Sequence, residues 1–234
     1  KFLEKIPKSY RQLKKTQNVF LQCYFEDIQT MKSFEELIND GNYEFVRYNF
    51  FFTNYLLFNN EIQKAKQVIK NAGQKYNSNL LLKQTEFFLL NSESKKIKNY
   101  FNCKNPKDSL AEFFYVIANL YSSEKNYKLS NFYMKISLFL NNKFLPNKLL
   151  LAENYYFQNK KDMSKKIYQS LKSIRPIYSW HSSKSVAAIL LDTKGKENSL
   201  KSLEKEFNSL SKKNFMHFYD LANFYKDNEY FKKS

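Results

Sequence analysis

The stretch "AEFFYVIANLYSSEKNYKLSNFYMKISLFLNNK", residues 111–143, decides the fold. It reads as two amphipathic helices around a polar break. Small residues stand where helices usually carry bulk: Ala118, Ser130 and Ser137. Large ones recur between them: Phe114, Ile117, Tyr121 and Met134. Small residues at a helix crossing let two backbones approach closely, and large ones fill the space beside the contact. The stretch therefore predicts a tight antiparallel helical pair.

Stepping 34 residues onward repeats the pattern. Ala118 lands on Ala152, Ser130 on Ser164, Tyr121 on Tyr155 and Ile117 on Leu151. A fixed period of this size marks a stack of repeated helix pairs. Residues 46–79 carry Phe52-Thr53, Leu56, Ala65 and Ile69 in the same register, with "NNE" (59–61) as the turn. Residues 180–213 carry Val186-Ala187, Leu190, Ser199 and Leu203, with "KGK" (194–196) as the turn. Residues 215–234 carry Phe218, Leu221-Ala222, Tyr225 and Ser234. A weaker unit covers about 11–44, and 80–107 is degenerate; "NCKNPKD" (102–108) breaks the pattern, and Asp108 or Ser109 is expected to cap the next helix.

Composition agrees with helices. The 234 residues hold 3 Gly and 4 Pro, too few for a β-sandwich, and 43% of them are hydrophobic, enough for a sizeable core. The longest nearly apolar run, "YNFFFTNYLLF" (48–58), is too short to span a bilayer and reads as a core helix. The chain opens on Lys1 and closes on "FKKS", so it reads as an internal piece of something longer, and its compartment cannot be taken from the lack of a leader.

The net charge of +17 raises the question of nucleic acid. Of the 39 basic residues only Arg11, Arg47 and Arg175 are arginine, the residue best suited to bidentate phosphate and base contacts. Lys is inflated together with 27 Asn, 23 Phe and 18 Tyr, all with AT-rich codons, which points to genome composition. Cys23 and Cys103 lie 80 residues apart, outside any CxxC, and read as buried apolar fillers.

On these positions the chain resembles the tetratricopeptide repeat family, and long multi-repeat bacterial members in particular. The resemblance implies an all-α, right-handed solenoid of antiparallel helix pairs running through residues 1–234. It implies a protein-interaction scaffold, with a cell-envelope location known for many long members. Serine replaces the usual alanine at 130, 164, 199 and 234, where its hydroxyl is expected to bond back to the preceding turn.

In the family, the first helix of each pair lines a concave groove that holds an extended segment or a helix of a partner. Carried over, the groove positions include Arg47, Phe50 and Asn54, then Tyr115 and Asn119, then Glu153 and Tyr156, then Lys184, and finally Tyr219 and Asn223. Phe50/Asn54, Tyr115/Asn119 and Tyr219/Asn223 form aromatic–Asn pairs at i, i+4, suited to an extended peptide backbone. Lys184 has no Asn partner, so capture of a peptide C-terminus is not expected. Groove positions mix Arg47, Lys184 and Lys226 with Glu112, Glu153 and Asp192, which disfavours the alternative of a basic solenoid binding single-stranded nucleic acid. No catalytic set surrounds His181 or His217. There is no glycine-rich phosphate loop or metal-ligand spacing, so no cofactor, metal or enzyme activity is expected. Partner identity and oligomeric state are not legible.

Overall fold

The computed structural model describes residues 11–41 and 45–229. Among these the regular elements are thirteen α-helices, with no strand. The chain divides into two compact units, residues 1–147 and 148–234. None of the described helices is long and apolar enough to cross a membrane.

In the first unit the helices are α1 (Arg11–Tyr24), α2 (Thr30–Asn39), α3 (Tyr48–Phe58), α4 (Ile62–Lys75), α5 (Leu80–Leu90), α6 (Ser94–Tyr100), α7 (Pro106–Ser123) and α8 (Tyr127–Leu140). From α1 to α6 each helix packs on the next, and α7 packs on α8 most extensively. The second unit carries α9 (Leu145–Phe157, from Lys148 onward), α10 (Lys161–Leu171), α11 (Ile177–Lys194), α12 (Lys196–Ser209) and α13 (Phe215–Asp227). The expected small residue Ser234 lies outside the described residues.

One turn recurs inside the pairs. Glu26, Asn60, Ser92, Lys125, Asn159, Gly195 and Glu229 all have positive φ, at intervals of 32 to 36 residues. In five of these turns the amide just after the left-handed residue reaches back to close the helix. The bonds run from Asp27 to Gln22 O (2.9 Å), Glu61 to Leu56 O (2.9 Å), Glu93 to Phe88 O (2.7 Å), Asn126 to Tyr121 O (2.8 Å) and Lys160 to Tyr155 O (2.8 Å). This is the Schellman closure, in which a left-handed residue lets the chain satisfy the last helical carbonyls.

The small positions meet at the crossings. Ala65, Ala118, Ala152, Ala187, Ser130, Ser164 and Ser199 are all fully buried. Two of the serines bond across the pair, a partner the sequence did not suggest. Ser130 Oγ donates to Ala118 O across the pair at 2.7 Å, and Ser199 Oγ to Ala187 O at 2.5 Å. The hydroxyl sits closer to the facing helix, whose Ala leaves its carbonyl accessible. Tyr155 is buried, whereas Phe114 and Tyr121 are only half-buried and stack on Tyr133.

The core of the first unit is aromatic. Phe20 of α1 contacts Phe34, Tyr48, Phe51 and Phe101, and Phe51 meets Phe101 at 4.4 Å and Phe144 at 5.4 Å. The segment between α6 and α7 thus folds under α1 and α3. Here Cys23 and Cys103, both buried, form a disulfide with Cα atoms 5.8 Å apart, which corrects the reading of two unrelated fillers. The sequence places them far apart; the aromatic cluster brings them together.

The start of α7 also differs from expectation. Asn105, not Asp108 or Ser109, is the N-cap. Its side chain accepts from the Lys107 amide at 3.2 Å, and Pro106 opens the helix. Proline suits the first turn, where its missing N–H would have had no partner. Asp108 instead accepts from the Asn102 amide at 2.8 Å. Burial pushes the Asp108 carboxyl up to about 6.

Candidate functional site: the face of α9, α11 and α13

The groove positions of the first unit do not form a groove. Phe50 and Asn54 are fully buried, and Asn54 Nδ2 donates to Ile97 O of α6 at 3.1 Å. The reason is visible in α3 itself: a helix apolar on every side must be covered on every side. Arg47 and Tyr115 are withdrawn as well. The Arg47 guanidinium lies 4.5 Å from the Tyr115 ring centroid and pairs with Glu112 of α7. Its Nε donates to Glu112 Oε1 at 3.2 Å, and Tyr48 donates its OH to the same oxygen at 3.4 Å. Burial works against the charge on Arg47, but Glu112, with Tyr115 and Tyr48, more than offsets it and holds the guanidinium protonated. Of this unit's predicted residues only Asn119 is exposed, so the Tyr115/Asn119 pair is split between core and surface.

A separate cleft of about 430 Å³ lies beside α2 and α4, lined by polar residues such as Glu35 and Asn71 and by Ile38, Phe52 and Val68, and crossed by the Lys64–Glu35 ion pair at 2.6 Å.

In the second unit the predicted positions all remain at least partly accessible. Glu153 and Tyr156 of α9, Lys184 of α11 and Asn223 of α13 are half-buried, and Tyr219 of α13 is exposed. Links between the first helices of successive pairs organise this face. Tyr156 donates its OH to Asp192 Oδ2 of α11 at 3.0 Å, and Lys161 Nζ reaches the same oxygen at 3.1 Å. Those contacts hold the Asp192 carboxyl below its usual range. One helix on, Lys184 pairs with Asp220 of α13 at 2.8 Å, and Trp180 Nε1 donates to that carboxylate at 2.8 Å.

The two histidines are structural parts of this frame. His217 Nδ1 accepts from the Asn214 amide while the Asn214 side chain accepts from the His217 amide, both at 3.1 Å, closing a capping box at the start of α13. A capping box ordinarily uses Glu or Gln at this position, so the sequence carried only a disguised signal. His217 also packs edge-on against Trp180 at 5.0 Å. His181 lies 6.2 Å from the Tyr168 ring, and its Nε2 is buried with no hydrogen-bond partner among the described residues. Burial, helped by Lys184 and opposed by Asp220, pulls the His181 imidazole down to about 4.

Glu153 is the exception on this face. Asp192, Asp220 and Glu206 are each held by a lysine. Glu153 is as withdrawn as they are, yet no ion pair or hydrogen bond holds it among the described residues. Burial alone pushes its carboxyl up. Its charge is felt by Tyr168, whose hydroxyl is raised by burial first and by Glu153 next. Glu153 therefore sits near Tyr168 with no hydrogen bond or ion pair to its carboxylate among the described residues. Beyond it, Phe215 stacks on Tyr219 at 5.9 Å, and both rings are exposed. Among the described residues no group of three or more His, Cys, Asp or Glu is placed to hold a metal ion.

No family model matches the chain, and no curated protein matches it. Among solved structures it is similar to a tetratricopeptide repeat protein from Parabacteroides merdae, at 14% identity and a TM-score of 0.42, over 93% of this chain and 89% of that one.

Proposed function

We propose that this chain is a protein-interaction scaffold whose second unit receives an extended segment of a partner across α9, α11 and α13. The observation that carries the reading is Glu153. An uncompensated, withdrawn carboxylate costs stability, and the neighbouring carboxylates avoid that cost by pairing. A basic side chain of the partner would supply the missing cation, and Tyr156 and Tyr168 offer aromatic area beside it. Tyr219 and Asn223 extend the same face with an exposed ring and an amide able to bond a peptide backbone.

The rival, a nucleic-acid groove, fits this face less well. Two of its lysines, Lys161 and Lys184, are tied to carboxylates, and Glu153 would repel phosphate.

The test is fluorescence anisotropy with labelled, unstructured decapeptides, centred on Lys-Arg or on Glu-Glu, beside a single-stranded RNA of matched length at physiological salt. The basic peptide should bind at least five-fold tighter than the acidic one, and Glu153→Gln should abolish the preference. Sub-micromolar RNA binding that Glu153→Gln strengthens would overturn the reading.

A further inference from the structure

The geometry points to a permanent structural disulfide between Cys23 and Cys103, and we infer that this chain folds and works in an oxidising, non-cytosolic compartment. The bridge joins α1 to the connection between α6 and α7, across 80 residues of sequence. Its Cα separation of 5.8 Å is the separation a disulfide prefers.

Both cysteines are withdrawn from solvent, Cys23 at 2% and Cys103 at 3% exposure. Their surroundings are apolar. One turn before Cys23, Phe20 meets Phe101, two residues before Cys103, at 5.3 Å. A redox-sensing cysteine needs access, and usually a low thiol pKa or a resolving thiol. Here the sulfurs are covered, and the chain's two cysteines are both consumed in the bridge. The bond is therefore a staple.

Formation removes one proton from each thiol and two electrons in total. The electrons pass through a mixed disulfide to a protein thiol–disulfide oxidant, whose own disulfide becomes two thiols. Such oxidants operate outside the cytosol, where glutathione and thioredoxin otherwise keep thiols reduced. Hyperthermophile cytosols are the exception, and the 27 asparagines of this chain run against thermophile composition, which is poor in thermolabile amides.

The staple also has a physical task. α1 and α2 open the described part of the chain, and α1 reaches the rest of the unit through Phe20, its packing on α7 and the bridge. Closing a long loop restricts the unfolded chain, and that effect grows with loop length.

Three measurements test the inference. In cells that naturally make the protein, acid quenching followed by alkylation with a polyethylene-glycol maleimide should add no mass before reduction and two adducts after it. Two adducts without reduction would overturn it. Purified from an oxidising host, the chain should lose roughly 5–15 °C of melting temperature on addition of dithiothreitol. The Cys23→Ser/Cys103→Ser variant should melt at the lower temperature and ignore the reductant. Equal melting with and without reductant in the unsubstituted chain would refute the staple even if the variant does not fold.

Discussion

The three serines at equivalent crossing positions make a test in which nature supplies the control. Ser130, Ser164 and Ser199 are all fully buried. Ser130 and Ser199 donate to the carbonyl of the facing alanine, at 2.7 and 2.5 Å, whereas Ser164 Oγ has no partner among the described residues. Replacing each by alanine removes the same atom in nearly the same setting. For Ser130 and Ser199 the loss is one buried hydrogen bond, about 1 kcal/mol, reduced by about 0.5 kcal/mol because alanine favours the helix. The acceptor carbonyls belong to helices and keep their ladder bonds, so no orphan is created. For Ser164 there is no bond to lose. Removing an unsatisfied buried hydroxyl should recover about 1 kcal/mol of its desolvation cost. Ser199→Ala and Ser164→Ala should then differ by about 1.5–2 kcal/mol in opposite directions. Urea unfolding followed by Trp180, the chain's one tryptophan, reads both variants in the second unit, and far-ultraviolet circular dichroism reads Ser130→Ala. Equal effects from all three substitutions would refute the claim that hydrogen bonding across the pair distinguishes them.

Two further outcomes follow from buried charge. Glu112→Gln leaves Arg47 charged inside the first unit and should cost about 3–5 kcal/mol, while the double variant Arg47→Met/Glu112→Leu should regain much of it; a urea double-mutant cycle measures both. His181 is held near 4 in the folded state against about 6.5 unfolded, so the unfolded chain takes up its proton first. Its contribution, up to roughly 3 kcal/mol, is complete above pH 6.5 and is lost as pH falls to about 4. His181→Phe should flatten that slope, and a nuclear magnetic resonance titration of His181 near its ordinary value would contradict it.

The crossings were legible because their rules are local. A small residue at a near-constant step from another states that two helices touch, and Ala118, Ala152 (34 residues on) and Ala187 (35 further) are all fully buried. The turns were half legible. A left-handed residue usually announces itself as glycine, but here the position holds Glu26, Asn60, Ser92, Lys125, Asn159 and Glu229, with glycine only at 195. Asparagine tolerates that conformation, and the Schellman bonds hold Glu26, Ser92 and Lys125 in it. The groove in the first unit was misplaced because a family position says where a helix faces, not what folds back over it. The run "NFFFTN" already carried the warning, since a groove wall needs a wet side. The disulfide and the Arg47–Glu112 pair were beyond reach. Their partners are 80 and 65 residues apart, and only the closing of the aromatic core brings them together.

The lysine excess takes on a different meaning once its partners are known. Lys172 pairs with Glu206 and Lys196 with Glu229, 34 and 33 residues on, and Lys184 pairs with Asp220. Each pair joins one helical hairpin to the next. Individually such partly exposed pairs contribute little, and salt weakens them. Their regular spacing still fixes which face each helix shows its neighbour, because a lysine one position out of register would meet no carboxylate. A chain rich in lysine for reasons of base composition can thus use part of that excess as mortar between repeats. The lysines spent this way are unavailable to phosphate. What the second unit retains is the carboxylate of Glu153, which no ion pair holds among the described residues; under the proposed reading, that acidic site on a positively charged molecule would favour a basic partner.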